Sequence, residues 1–143
     1  MRISTKGRYS LEALLYLCLL PSTAVTSTHV VAKALSISEG YLEQLFIPLR
    51  KAGVLKGTRG SQGGYTLGRP PGRITLTDVL LEVEGPLDLV DCVNDKSCAR
   101  RKNCPSREIW DSLYKTIRKF ADTLTFAELT KAYRAMENGA YQI

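Results

Sequence analysis

The sequence predicts a mainly α-helical fold that carries one small β-hairpin. In residues 38–53 the apolar side chains recur at the intervals of one helix face, at Leu42, Leu45, Phe46 and Leu49. In residues 54–67 two short strand-like runs, 54–58 and 65–67, flank a segment with three glycines in six residues. Because glycine adopts the positive φ values of a tight hairpin, we expect a helix followed directly by a hairpin.

The predicted helix has residue types at its ends that start and stop helices. The Ser38 side chain is suited to cap the first free N–H groups, and Gly53 is suited to end the helix. Pro48 lies inside this segment, lacks an N–H and crowds the carbonyl of Gln44. We therefore predict a bend or an irregular last turn at Pro48.

The outer face of this helix and the hairpin together predict a nucleic-acid contact. Gly40, Glu43 and Ile47 lie on the outer face, and Tyr41 and Gln44 flank it, where they reach base edges from a major groove. The hairpin is basic and its tip is polar, with Lys56, Arg59 and Ser61. This is the arrangement of a winged helix-turn-helix domain, with double-stranded DNA as its partner. An ordinary surface hairpin is the alternative.

The distribution of charge supports the same prediction. The chain has 143 residues and a net charge of +6. Residues 1–70 contain nine Lys/Arg and three Asp/Glu, whereas residues 71–143 contain eleven of each. The basic excess therefore coincides with the predicted DNA-binding part, as phosphate binding requires, although a solvated basic face would have the same composition. With one histidine and no paired nucleophile and base, we expect no enzyme.

Two helices are expected before the recognition helix. The first should begin near Ser4 or Thr5, end before Pro21 and bury the stripe Leu11, Leu14, Leu15, Cys18 and Leu19. This apolar run after a basic start resembles a secretory signal, but Glu12 and the helical spacing argue against export. We therefore expect a cytoplasmic protein with reduced thiols. Thr26 or Thr28 should cap a second helix, in which His29 is expected to be a surface or phosphate-contacting residue.

Beyond residue 70 the pattern predicts three more helices and a long loop. One helix should contain Leu76, Val79, Leu80 and Val83 and complete a DNA-binding domain over residues 1–84, with its wing at 54–67. A cysteine loop over 85–104 then leads to a helix over 105–124, with Pro105 in its first turn. A capping box, Thr125 to Glu128, should start a last helix and tail over 125–143, with its apolar face formed by Leu129, Ala132, Tyr133 and Met136.

The helix over 105–124 has the pattern of a helix that packs lengthwise on a partner. Its apolar residues alternate at intervals of three and four, at Trp110, Leu113, Ile117, Phe120 and Leu124. Packing within its own chain is the alternative. We favour a homodimer because helix-turn-helix proteins bind two half-sites about 34 Å apart.

Three cysteines, Cys92, Cys98 and Cys104, are each six residues apart in a polar and basic segment. Three thiols cannot all form disulfides within one chain, and structural zinc sites usually have closer spacing. Neighbouring cations favour thiolates. The pattern leaves three alternatives: an iron–sulfur cluster with one further ligand, a zinc ion, or thiol sensing without metal.

The chain resembles the IscR-type regulators, within a larger family of winged-helix repressors that also includes NsrR and CymR. The similarity runs essentially end to end. The residues that carry it are Ser4-Thr5-Lys6-Gly7-Arg8-Tyr9, Tyr41-Leu42-Glu43-Gln44-Leu45-Phe46, Leu49-Arg50-Lys51-Ala52-Gly53, the wing Arg59-Gly60-Ser61-Gln62-Gly63-Gly64-Tyr65 and the three cysteines.

This resemblance implies a homodimeric transcription regulator that holds a 2Fe–2S cluster through Cys92, Cys98 and Cys104. It also implies control of iron–sulfur cluster assembly genes and DNA contacts by Tyr41, Glu43, Gln44 and Arg59. The chain departs from the family pattern at Arg107, where IscR-type regulators have a histidine ligand. Arginine has no free acceptor for a metal. The candidate fourth ligands are therefore Glu43, Glu108, Asp91 and His29.

Two rival functions remain open from the sequence. One is a winged-helix repressor without a cluster, controlled by thiol redox chemistry or by zinc. The other is an architectural or protein-interaction module that uses the winged fold without operator selectivity; such a module would bind DNA with steep salt dependence but tolerate changes at base-reading residues.

Overall fold

A computed structural model describes residues 3–90 and 97–139. The described residues form helices and one two-stranded antiparallel sheet, which confirms the predicted fold class. The elements in chain order are α1 (Thr5–Leu19), α2 (Thr28–Leu35), α3 (Glu39–Lys51), β1 (Leu55–Thr58), β2 (Gly64–Leu67), α4 (Leu76–Glu84), α5 (Arg107–Thr123) and α6 (Phe126–Glu137), with a 3-10 turn at Pro71–Arg73 before α4.

Helix α1 begins and ends where the sequence predicts, but it buries a different face. Its N-cap is Ser4 and it ends at Leu19, before Pro21. Cys18 and Leu14 are buried as expected, whereas the other three residues of the predicted stripe, Leu11, Leu15 and Leu19, are only half-buried. The buried face is wider and centred elsewhere, because α1 packs against α2, α3, α4, α6 and β2; it consists of Gly7, Ser10, Ala13, Leu14, Leu17 and Cys18.

One carboxylate fastens the start of α1 to the end of α4. Glu84 Oε1 accepts hydrogen bonds from the Ser4 N–H at 2.9 Å, the Ser4 hydroxyl at 2.6 Å and the Gly7 N–H at 3.0 Å. A Cβ atom at Gly7 would overlap this carboxylate, so glycine is needed for the close approach. The last residue of α4 thereby satisfies free N–H groups at the first turn of α1.

We expect Glu84→Ala to lower the free energy of unfolding by about 1–3 kcal/mol, because it leaves two backbone donors without a charged acceptor. Chemical denaturation measures this loss. Glu82→Ala is the matched control, since Glu82 is an exposed carboxylate on the same helix. Equal stabilities for the two variants would contradict the role assigned to Glu84.

Helices α2 and α3 form the helix-turn-helix unit. The N-cap of α2 is Ser27, whose side chain accepts from the Val30 N–H, so the predicted caps Thr26 and Thr28 are wrong. Thr26 instead forms a bridge to the hairpin. The turn between the helices passes through Ser36, which adopts the left-handed conformation at φ 55°. Ser38 caps α3 as predicted, through the Tyr41 N–H.

Helix α3 runs through Pro48 without interruption, so the predicted irregular last turn is not observed, whereas the alternative of a bend at Pro48 stays a prediction. The missing N–H deprives only the carbonyl of Gln44 of its helical donor, and Gln44 lies on the exposed face of the helix. The helix ends as predicted at Gly53, which has φ 71°. The Gly53 N–H donates to the Arg50 carbonyl and the Val54 N–H to the Leu49 carbonyl, which is a Schellman ending.

The hairpin is held against the helical core by one aromatic contact and one backbone bridge. The register pairs Leu55 with Leu67 and Gly57 with Tyr65. The ring of Tyr65 packs edge-on against Phe46 of α3, with centroids 4.8 Å apart. The backbone of Tyr65 also exchanges hydrogen bonds with Thr26, at 2.8 and 3.0 Å. The wing is therefore fixed relative to α3 at its base, while its tip projects from the core.

The last two helices pack on α1, on α4 and on the 3-10 turn before α4. Hydrogen bonds from Leu76 to Leu124 and from Phe126 to Ile74, each 2.9 Å, join the start of α4 to the junction of α5 and α6. Pro105 precedes the cap Ser106 and lies outside α5, so its placement in the first turn is wrong. The capping box at Thr125 and Glu128 is confirmed.

The predicted seam of α5 divides into two parts. Ala121 is buried, and Trp110 and Ile117 are half-buried on the side that faces the chain, whereas Leu113 and Phe120 are 44% and 60% exposed. Ile109, which the prediction omitted, is 63% exposed beside them. We call Ile109, Leu113 and Phe120 the α5 stripe; it is an apolar face that the described chain does not cover.

Helix α6 also buries less of its apolar face than predicted. Phe126 and Thr130 are buried, Leu129 is half-buried, and Ala132, Tyr133 and Met136 are exposed. Among residues 3–90 and 97–139, every helix is too short or too polar to cross a lipid bilayer.

Candidate nucleic-acid interface and cysteine segment

The outer face of α3 carries the side chains predicted to contact bases. Glu43 and Gln44 are exposed, and Ile47 is 37% exposed beside them. Tyr41 is half-buried because its ring packs edge-on against Tyr9 of α1, with centroids 6.1 Å apart and planes at 89°. This contact orients Tyr41 at the start of α3, whereas Gln44 is exposed.

An open cleft of about 380 Å³ separates α3 and the start of α2 from the wing. It brings together two predicted contact residues, Glu43 and Arg59, although they are far apart in sequence. Lys56 is exposed but does not line the cleft. Ser61 is exposed at the tip.

Arg50 lines the same cleft and was missed by the sequence reasoning. It lies seven residues after Glu43, two helical turns along the same face, and this spacing is a signal that could have identified it. The cleft therefore has two arginines and one carboxylate among its charged residues.

His29 lies outside this cleft and already has a partner. Its Nδ1 atom lies 2.6 Å from Glu39 Oε1, and both side chains are largely exposed. The contact connects the second residue of α2 to the first residue of α3. The surface position predicted for His29 is confirmed.

The cysteine segment lies immediately before α5. Cys98 and Cys104 are half-exposed. The pKa of the Cys104 thiol is lowered mainly by a hydrogen bond from the Ser106 hydroxyl and, to a smaller extent, by one from the Ser106 backbone N–H. The Arg107 N–H and the positive charge of Arg100 lower it further. A lowered pKa favours the thiolate, which is the form of cysteine that binds metals and acts as a nucleophile. Cys92 lies outside the described residues.

Cys18 is chemically different from these thiols. It is 8% exposed in the core, and burial raises its pKa to about 11, with a smaller opposing effect from the Thr130 hydroxyl. A thiol with this pKa is neutral at physiological pH and packs as a small apolar group. The expectation that Cys18 is a core residue is confirmed.

The donors of the cysteine segment fit an iron–sulfur cluster in kind, because thiolates are its usual ligands. In the part of the chain that the structure describes, no three His, Cys, Asp or Glu side chains are assembled into a metal site. Of the candidate fourth ligands, Glu108 is in the first turn of α5, close in sequence to Cys104. Glu43 lines the wing cleft, His29 contacts Glu39, and Asp91 lies outside the described residues.

The fold and the interface define a winged helix-turn-helix DNA-binding protein. The chain belongs to the Rrf2 family: a family model described as "Iron-dependent Transcriptional regulator" matches residues 3–132. Among its relatives, CymR of Bacillus subtilis is 38% identical over 141 residues, covering 99% of this chain and 97% of that protein. IscR of Xenorhabdus nematophila is 33% identical over 137 residues, covering 96% and 84%.

Solved structures agree with these relationships. The structure of CymR, described as the global cysteine regulator of B. subtilis, has a TM-score of 0.77 at 36% identity and covers 92% of this chain and 98% of its own. The structure titled T. potens IscR has a TM-score of 0.72 at 32% identity and covers 100% and 94%. Regulators of this family bind DNA operators, form dimers and are not enzymes. A general architectural module is therefore not supported.

Proposed function

We propose that this protein is a homodimeric DNA-binding regulator whose choice of operator responds to a 2Fe–2S cluster. Three thiols, Cys92, Cys98 and Cys104, would hold the cluster, and the genes under control would be those of iron–sulfur cluster assembly. The proposal rests on the spacing of the three cysteines immediately before α5, the helix proposed to form the dimer, and the lowered pKa of Cys104 supports it. A bound cluster would supply a redox-sensitive and iron-dependent signal.

The proposed base contacts are on α3 and the wing. Tyr41, Glu43 and Gln44 would face the major groove, and Arg59 would enter the adjacent groove from the wing. Lys56 and Ser61 would contact the backbone near the wing tip. Five of these six side chains are exposed, and the half-buried Tyr41 is oriented by Tyr9, which supports their assignment.

The proposed coupling depends on where the cysteines lie in the chain. The cysteines lie in the segment that connects α4 to α5. The last residue of α4, Glu84, accepts hydrogen bonds from the start of α1, and the α5 stripe is exposed. A cluster bound by all three thiols would restrict the conformation of the segment between α4 and α5. This would restrict how the two DNA-binding domains of the dimer are placed relative to each other. The cluster changes operator choice only if its affinity differs between the two arrangements.

Iron, sulfide and zinc analysis of anaerobically purified protein, together with its visible spectrum, tests the proposal. We expect equal iron and sulfide, a coloured protein, and a different affinity for at least one operator after the cluster is removed. Cys104→Ser should lose the colour, whereas Cys18→Ser is the matched control outside the segment and should keep it. A colourless protein with one zinc per chain would contradict the proposal, as would identical operator affinities with and without the cluster.

A second candidate function is control by the thiols alone, without a cluster. Two observations favour it: Arg107 occupies the position of the expected histidine ligand, and the similarity to CymR is as extensive as that to IscR. This candidate predicts that a metal-free protein responds to mild oxidation by losing operator affinity, with Cys104 alkylated faster than the buried Cys18.

A further inference from the structure

The cleft between α3 and the wing contains one cation that the function described above does not use. Arg50 is exposed on α3 and lies on the same side of the wing as Arg59. Within residues 3–90 and 97–139, no carboxylate lies within ion-pair distance of either guanidinium. The two arginines share the cleft with one carboxylate, that of Glu43. The charged side chains of this concave surface thus carry a net positive charge.

The packing of the wing fixes where the Arg50 side chain lies. A Cβ atom at Gly57 would be 3.7 Å from Arg50 Cδ and 3.9 Å from Arg50 Nη1, so the end of the arginine side chain lies beside Gly57 of β1. The same Cβ would be 3.7 Å from the Tyr65 ring, which is itself packed on Phe46. Arg50 therefore lies between α3 and the base of the wing, and its guanidinium is exposed to a ligand in the cleft.

We propose that Arg50 binds a backbone phosphate of DNA in this cleft, between α3 and the wing. The cleft has a polar lining, and Ser27 and Thr28 form its opposite wall. It lies between the two elements that contact a duplex, so a phosphate reaches it when α3 enters the major groove. Planar guanidinium donors bind phosphate oxygens in pairs. Arg50 is in this role a positioning residue and distinguishes no base.

The test measures binding of the full-length dimer to its operator and to a random-sequence duplex at several salt concentrations. We expect Arg50→Ala to weaken both by the same factor, roughly tenfold. The slope of log affinity against log salt should fall by about one. Arg50→Lys should retain the slope but recover only part of the affinity. Arg59→Ala should weaken the operator more than the random duplex.

Lys33→Ala is the matched control, because Lys33 is an exposed cation at the far end of α2. If Arg50→Ala keeps the affinity and salt slope of this control, the proposal is wrong. It is also wrong if Arg50→Ala weakens the operator alone, since that would indicate base recognition. Titration with inorganic phosphate distinguishes a DNA phosphate from a free anion as the ligand. If wild type binds phosphate saturably and Arg50→Ala does not, while Arg50→Ala binds DNA as well as wild type, the cleft is a site for a free anion and the proposal is wrong. Binding of the wild-type protein to the two duplexes tests whether the protein binds DNA at all, and this result does not depend on the role of Arg50.

Discussion

Phe120→Glu is expected to convert the dimer into a monomer and to weaken operator binding by about 100-fold or more, the loss that follows when two linked contacts become one. Phe120 is 60% exposed and forms the α5 stripe with Ile109 and Leu113. Monomeric proteins rarely leave such a face uncovered. A carboxylate buried in this stripe without a partner would destabilise the interface. Analytical ultracentrifugation and operator titration measure the two effects.

Lys115→Ala is the control for this substitution. It changes the net charge by the same amount as Phe120→Glu, and Lys115 lies on the opposite, polar side of α5, where it pairs with Asp111. We expect this variant to remain a dimer with nearly unchanged operator affinity. A dimeric Phe120→Glu protein with full affinity would show that α5 does not form the interface.

Phe46→Ala is expected to lower the free energy of unfolding by about 3–5 kcal/mol, the range for removing a buried aromatic side chain. Phe46 is fully buried and is among the largest of the buried side chains that the structure describes. It also supports Tyr65, so its loss should loosen the base of the wing and weaken DNA binding of the remaining folded protein. Denaturant titration measures the stability, and DNA binding at low temperature measures the second effect.

Ile47→Ala is the control for stability, because Ile47 is the next residue on the outer face of the same helix. A partly exposed side chain without core contacts should cost about 0.5 kcal/mol or less. If both variants lose the same stability, Phe46 does not have the central packing role assigned to it.

The helical elements followed largely from local sequence signals. Ser38 and Gly53 set the ends of α3 through hydrogen bonds within a few residues, and the capping box at Thr125 acts in the same way. Apolar periodicity identified the buried face of α3 because that helix has one core side and one exposed side. The same periodicity predicted the wrong buried face for α1, because α1 contacts other elements on several sides and its buried surface is wider than a single stripe.

The sequence by itself determined the class of fold, the recognition helix with its hairpin, and the concentration of positive charge in that half of the chain. Only the tertiary structure decided which distant residues meet. Glu84 reaches the first turn of α1, Arg50 shares a cleft with Arg59, and the apolar band of α5 divides into a packed and an uncovered side. The physical reason is that caps and periodicity depend on neighbours along the chain, whereas these contacts depend on how whole helices pack, which no local pattern specifies.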